Sequence, residues 1–334
     1  MENRPNICLT PGCPNGIGPE VLAKSLLALG QSLQAQFFFA GPPSLLTVAA
    51  QRAGCQFVEG HFLQGHHRSA KIITLFEDRE LPPIPPLGAH NEDALIIQAR
   101  AIQKAVSLGQ DRAIQGLVTG PIRKAAMEYC DSRFAGHTEY LHAHLAVDEN
   151  QPLMAFAGGP FVLGLATIHI PLGQVPSHLS REGLKQQVRR LRGLIGQLKN
   201  KQDIRLTVLG LNPHAGEDGL LGSEEETIIQ PAIQALIEEG LAVNGPVSAD
   251  GFFARFGKSG FEPQVDGVLA MYHDQGLAPY KILAGGHGVN ITSGLSIART
   301  SPDHGTADDI AGKQLADASA MQAAIETCLA LVNV

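Results

Sequence analysis

Short apolar runs rich in β-branched and aromatic residues alternate along the chain with longer stretches in which apolar residues return every three or four positions. The runs "ICLT", "QFFFAG", "GLVTGP", "FVLGLATIHI", "RLTVLGLNPH" and "DGVLAMYHD" predict buried strands. "VLAKSLLALG", entered through Pro19 and Glu20, predicts a helix with proline in its first turn and Gly30 just past its end. Further helices are expected from Asn91 to about Leu108, through "REGLKQQVRRLRGLIGQL", and through "SEEETIIQPAIQALIEEG". Pro231 should bend or restart the last of these, because it has no N–H to donate and crowds the preceding turn. Strands alternating with helices predict an α/β fold with a largely parallel or mixed sheet. The proline-rich "LPPIPPLGAH" at 81 to 90 reads as a stiff connector, and a crossing between lobes is expected near it or near residue 125. Neither an internal repeat nor a low-complexity tract interrupts this order.

The length of 334 residues exceeds one usual domain, so two lobes or one large unit with an appended lobe are expected. Hydrophobic residues at 44% and charged ones at 17% fit an ordinary soluble globular protein. Net charge is −7 and the Lys and Arg residues are scattered, which leaves no basic stripe for a nucleic acid backbone. An anionic substrate must instead meet a local cluster of cations. The five cysteines are odd in number and form no CxxC pair, which argues against a disulfide framework or a thiolate zinc site. No run of about 18 apolar residues occurs, and the N-terminal apolar stretch is too short for a signal peptide. A cytoplasmic protein with no membrane segment is expected.

Three histidines close apolar runs: His169 in "ATIHIPL", His214 in "GLNPHAGEDG" and His273 in "AMYHDQG". Loops at the carboxyl ends of α/β strands face one crevice, so such residues can converge there. Three imidazoles suit zinc, cobalt or nickel, with Asp274 as a further ligand or as the group that orients His273. The competing reading of each is a strand-end histidine hydrogen-bonded within the fold. In "FAGHTEYL", His137 and Thr138 can donate to an oxyanion, while Thr138 could instead cap a helix beginning at Glu139. The glycine-rich segment from 285 to 313 carries Asn290 and Arg299 around a turn; with Lys281 they could clamp a phosphate, the alternative being a solvated surface loop. "GIGPE" resembles a glycine loop before a helix but lacks the third glycine of a dinucleotide fingerprint.

In order from about residue 6 to residue 320, "GIGPEV", "GHTEYL", "GLNPHAGEDGLLGSEE", "AMYHDQGLAPYK", "VNIT" and "RTSPDHGTADDIAG" resemble the 4-hydroxythreonine-4-phosphate dehydrogenase family of pyridoxal phosphate biosynthesis. The resemblance implies a two-lobed α/β fold similar to isocitrate and isopropylmalate dehydrogenases, and a homodimer whose active site, in the interlobe cleft, is completed by the partner subunit. It implies a cofactor-side lobe of residues 1–125 plus 285–334, and a metal-binding and dimerisation lobe of residues 126–284. A divalent metal, zinc first with cobalt or magnesium as alternatives, would sit on His169, His214 and His273. Substrate contacts match His137, Thr138, Lys281, Asn290 and Arg299, and Asp250 of "ADGFF" matches an acidic residue near the metal. The "HGTADDIAGK" segment, with His304, Gly305, Thr306 and Asp308, looks like the adenosine-side loop of isopropylmalate dehydrogenases and implies NAD or NADP.

The implied reaction is oxidation of 4-phosphohydroxy-L-threonine at its 3-hydroxyl, then decarboxylation to 3-amino-2-oxopropyl phosphate. Asp250 and Asp274 are the candidate proton acceptors, alongside a metal-bound water. The sequence departs from the family pattern at Cys13, where an aspartate is usual, and at Asn15, Gly120, Arg123, Ser293 and Ser296. Those changes leave room for a related phosphorylated sugar acid, 4-phospho-D-threonate or 4-phospho-D-erythronate, as the substrate. A metal-dependent hydrolase, which would leave "HGTADDIAGK" unexplained, and a non-catalytic phosphometabolite-binding protein, marked by metal-free and cofactor-free ligand binding, are the readings from other classes.

Overall fold

The computed structural model describes residues 4–31, 33–87, 91–134, 136–258 and 264–333. The chain forms two units, Met1–Val147 with Leu295–Asn333, and Asp148–Gly294. The expected division put the boundaries at 125/126 and 284/285. They lie further along for two packing reasons. The helix His137–Leu145 buries Tyr140, Leu141 and Leu145 among Ile102, Ala105, Val106 and Ile297, which ties it to the first unit. The strand Val289–Ser293 pairs antiparallel with Leu153–Ala157 and so belongs to the second.

In the first unit the strands run in the order Ala298–Pro302, Gly116–Thr119, Asn6–Thr10, Gln36–Phe39 and Ile72–Thr74, all parallel. Every residue of Gly116–Thr119 is buried, as expected of a parallel strand covered on both faces. The helix Gly18–Leu29 starts with proline in its first turn and ends on Gly30 at φ 68, a left-handed conformation that glycine adopts without a Cβ penalty. Asn91 caps Glu92–Gln110 by accepting from the Ala94 amide. A small antiparallel sheet of Gln56–Val58, His61–Gln64 and His67–Arg68 was not expected from the sequence; its strands are too short to show a period. The expected connector at 81 to 90 carries no strand or helix beyond Leu81 as far as residue 87, and its last three residues lie outside the described ones.

The second unit is mixed. Val243–Val247, Leu206–Leu209, Gly267–Ala270 and Val162–Leu165 are parallel neighbours in that order, followed by Leu153–Ala157 and Val289–Ser293, each antiparallel to the strand before it. Ser180 caps the helix Arg181–Lys199, which ends at Asn200 in the left-handed region. Ahead of Pro231 the chain makes a π-helical turn, Glu225–Ile229, before the α-helix Gln230–Glu238. The proline therefore restarts the helix, as its missing donor requires.

The core of this unit centres on Phe161, which is 1% exposed. Its ring lies edge-on to Phe252 at 5.7 Å and to Tyr280 at 5.5 Å between centroids. Such pairs add to the burial of the ring itself. Replacing Phe161 by Ala should cost about 3–5 kcal/mol of unfolding free energy, measured by denaturant titration; a loss below about 1 kcal/mol would show that the ring is not a core anchor.

Candidate active site

The three strand-end histidines all lie in the second unit, and two residues, Met271 and Gln275, join their loops. Met271 follows the strand Gly267–Ala270, and its amide donates to Gln275 Oε1 at 2.7 Å. Its carbonyl accepts from Thr167 Oγ1 at 2.7 Å and from the Thr167 amide at 3.2 Å. Gln275 Nε2 reaches the Gly210 carbonyl at 2.6 Å. The segments leading to His169, His214 and His273 are thus held together before the histidines themselves begin. Gln275 escaped the sequence reasoning, although it sits inside the "YHDQG" block that drew attention to His273.

His169 and His273 come together, with ring centroids 6.0 Å apart and planes at 41°. His273 Nδ1 meets Asp274 Oδ1 at 2.6 Å, which fixes the ring with Nδ1–H donating and leaves the Nε2 lone pair facing away as the ligating atom. Asp274 thus contacts the ring of His273. His214 is exposed on the loop after Leu206–Leu209, at φ 53. Hydrogen bonds from Ser248 and the Gly251 amide hold the Asp250 carboxyl below the usual range, with a smaller electrostatic contribution from the His214 side. Neutral imidazoles oriented by carboxylates suit a divalent transition ion. Among the described residues of this one chain, no group of three or more His, Cys, Asp or Glu is close enough to hold one. The donor chemistry fits, and within one chain the His169 and His273 rings lie close together.

Lys281 is exposed on the last turn of the helix His273–Ala284, two turns or about 12 Å of axial rise beyond His273. Asn290 is half-buried on Val289–Ser293, opposite Phe156. The other expected substrate contacts belong to the first unit. His137 and Thr138 open the helix His137–Leu145, whose N-cap is Gly136 with no side-chain cap bond, so Thr138 is not the cap. Arg299 lies on the strand Ala298–Pro302 and is 3% exposed. Its Nη2 donates to Thr119 Oγ1 at 2.8 Å and lies 3.5 Å from His137 Nδ1. Thr119, at the end of a fully buried strand, gave no sequence signal. Within the 285–313 segment that composition made look like a ligand loop, Val289–Ser293 and Ala298–Pro302 are strands, while residues 303–313 carry neither strand nor helix.

Burial and the neighbouring Arg299 guanidinium push the His137 imidazole down to about 3. Burial also lowers Arg299 to about 10, opposed by the Glu139 carboxylate. His137 is therefore neutral at physiological pH. With Nδ1 facing a cation, the proton belongs on Nε2, which is enclosed and has no hydrogen-bond partner among the described residues. A buried donor without a partner is costly, and an anionic ligand oxygen would satisfy it.

The "HGTADD" loop packs on the glycine loop within the first unit. The Ile17 amide donates to the Thr306 carbonyl at 2.9 Å, and a Cβ on Gly16 would stand 2.6 Å from the same oxygen. Gly16 is thus required by the approach of another backbone segment. Asp308 Oδ2 accepts from Arg123 at 2.5 Å and from Thr306 Oγ1 at 3.1 Å, while Oδ1 is buried without a partner. His304 Nδ1 faces the Gly305 carbonyl at 3.0 Å, which leaves its enclosed Nε2 without a partner. Two departures from the family pattern meet here. The buried Cys13 thiol is raised by burial and hydrogen-bonds to Arg123, and the same Arg123 pairs with Asp308.

Residues 33–328 match the family described as pyridoxal phosphate biosynthetic protein PdxA. The chain belongs to the PdxA family. A 4-hydroxythreonine-4-phosphate dehydrogenase of Caulobacter vibrioides is 37% identical over 98% of this chain and 97% of its own. A D-threonate 4-phosphate dehydrogenase of Bordetella bronchiseptica is 35% identical over 96% of this chain and 91% of its own. A crystal structure of 4-hydroxythreonine-4-phosphate dehydrogenase from Klebsiella pneumoniae superposes with a TM-score of 0.78, at 30% identity over 99% of both chains. The α/β architecture observed here is therefore a PdxA fold as well as a PdxA sequence. Among the described residues no helix is long and apolar enough to cross a membrane.

The His137 geometry makes a prediction. Its imidazole takes up a proton in the unfolded chain near 6.5 but resists doing so in the folded one until about pH 3. Folding stability should fall as pH drops below 6.5, because only the unfolded state gains that proton. A His137→Asn variant should lose less stability over that interval, and NMR should find the native ring neutral at pH 5. A ring titrating near its ordinary value would contradict the enclosed geometry.

Proposed function

We propose that this PdxA-family chain oxidises 4-phosphohydroxy-L-threonine at its 3-hydroxyl with NAD or NADP, and that the product decarboxylates to 3-amino-2-oxopropyl phosphate. The observation that carries the proposal is the joining of the His169, His214 and His273 loops through Met271 and Gln275, in a chain whose relatives bear this enzyme's name. His169, His214 and His273 would hold a divalent ion, zinc first, with the donor set completed in a homodimer by a second copy. When bound, the ion supplies Lewis acidity to the substrate hydroxyl and the nicotinamide accepts hydride.

The residues of the chain do the rest. Asp274 keeps the His273 ring in one orientation. Asp250, held ionised by Ser248 and the Gly251 amide, is the carboxylate that takes the hydroxyl proton. His137 offers its Nε2 proton, and Thr138, Arg299, Lys281 and Asn290 add donors and positive charge for the substrate's phosphate. His304, Gly305, Thr306 and Asp308 form the cofactor-side loop, with Asp308 fixed by Arg123. Loss of the C3 hydride and the hydroxyl proton leaves a β-keto acid. The C1–C2 bond then breaks to release carbon dioxide, and C2 takes up a proton.

A second reading keeps the chemistry and changes the substrate to 4-phospho-D-threonate or 4-phospho-D-erythronate. It is favoured by the Bordetella bronchiseptica relative, whose 35% identity is comparable to the 37% of the Caulobacter vibrioides one. The two readings differ in whether C2 carries an amino or a hydroxyl group.

Purified metal-supplemented protein should reduce NAD or NADP with 4-phosphohydroxy-L-threonine faster than with either sugar-acid phosphate. The reverse order would establish the second reading, and no nucleotide reduction with any of the three would reject both. His214→Ala should lose bound metal and turnover together. Arg299→Ala should raise KM by roughly 10- to 100-fold, the worth of a charge-assisted hydrogen bond, with a smaller change in kcat.

A further inference from the structure

Glu225 is a carboxylate at 3% exposure that the proposed reaction does not use. It stands at the start of the π-helical turn Glu225–Ile229. Its Oε1 accepts from the backbone amides of Leu211 and Asn212, each at 2.7 Å. Its Oε2 accepts from Asn212 Nδ2 at 2.8 Å, and that amide also reaches Glu224 Oε2 at 2.7 Å. Three glycines leave the space for this grip. A Cβ on Gly210 would stand 3.1 Å from Glu225 Oε1, one on Gly216 would stand 2.8 Å from Oε2, and one on Gly222 would fall 2.2 Å from Asn212 Nδ2.

The gripped segment is one that would not hold its shape unaided. His214 at φ 53, Ala215 at φ 54, Glu217 at φ 45 and Asp218 at φ 53 are all left-handed without being glycine. Such conformations persist only where the surroundings over-determine them, and they cluster at ligand clamps. The two amides bound by Glu225 enter that segment immediately before Pro213 and His214. A π turn shifts the following side chains relative to an α-helix and is frequent at functional sites; here it sets Glu225 beneath the loop.

We infer that Glu225 is a positioning residue for His214, holding the 210–218 loop in the strained form that presents the imidazole to a divalent ion. The inference rests on the metal reading above. Its carboxylate does not touch the ion; it acts through the Leu211 and Asn212 amides and the Asn212 side chain, as outer groups that orient ligands do.

The test is Zn²⁺ affinity of the full-length, metal-stripped protein, measured by competition with a chromogenic chelator, with denaturant unfolding run on each variant. Glu225→Gln keeps size and one oxygen while removing the charge that two amides and a side chain share, and it guards against a Glu225→Ala chain that fails to fold. Ile229→Ala, in the same turn and fully buried, is the control for general loosening. Glu225→Gln should weaken Zn²⁺ binding about 10- to 100-fold, with Ile229→Ala less stable than the parent yet binding Zn²⁺ as the parent does. Unchanged affinity in a folded Glu225→Gln protein, or an equal loss in Ile229→Ala, would overturn the positioning role. Unchanged affinity in His214→Ala would instead overturn the metal reading on which it stands.

Discussion

A parallel strand that turns out of its sheet leaves its last amide and carbonyl without a neighbour, and in the Asp148–Gly294 unit Gln275 takes both roles. Its oxygen accepts from the Met271 amide and its nitrogen donates to the Gly210 carbonyl, bridging the ends of two adjacent parallel strands. Thr167 joins the same point through the Met271 carbonyl. Each of these bonds satisfies a group whose burial would otherwise cost free energy, so stability and site geometry depend on the same atoms. The helix His273–Ala284 can lie close over these strand ends because Gly276 has no Cβ; one there would stand 2.7 Å from the Ala270 side chain.

The strand-end histidines were legible in the sequence because strands buried on both faces are written as unbroken apolar runs, and the first polar residue after such a run marks the sheet's edge. His273 lies just past its strand, whereas His169 comes two residues after Thr167 and His214 two residues after Asn212. The helix ends at Gly30 and Asn91 were legible for an equally local reason, since caps act within a few residues. Arg299 and Asn290 were found as residues but misplaced in kind. Val289–Ser293 and Ala298–Pro302 mix Asn, Thr, Ser and Arg with few aliphatics, so composition resembles a loop while long-range pairing makes strands. The grip of Glu225 on the His214 loop joins residues through a π turn, and no local period reports that.

The departures at Cys13 and Arg123 are better understood as a pair than as two exchanges. The Cys13 thiol and the Asp308 carboxylate share one partner, Arg123. The ion pair is partly buried, with side chains 29% and 27% exposed, so solvent screens it only in part. Its place is the loop expected to face the cofactor, which puts these departures nearer to nucleotide preference than to the metal chemistry. Ser293 and Ser296 lie at and just beyond the end of the strand that carries Asn290, before the strand that carries Arg299.

The central claim is an oxidation that makes a β-keto acid, which then loses its carboxylate. The most direct measurement is to supply 4-phosphohydroxy-L-threonine labelled with ¹³C at the carboxyl carbon, together with oxidised nucleotide, and to compare labelled carbon dioxide with reduced nucleotide formed. The account predicts one labelled carbon dioxide for every nucleotide reduced. Reduced nucleotide with the label retained in the phosphorylated product, or labelled carbon dioxide without nucleotide reduction, would contradict it.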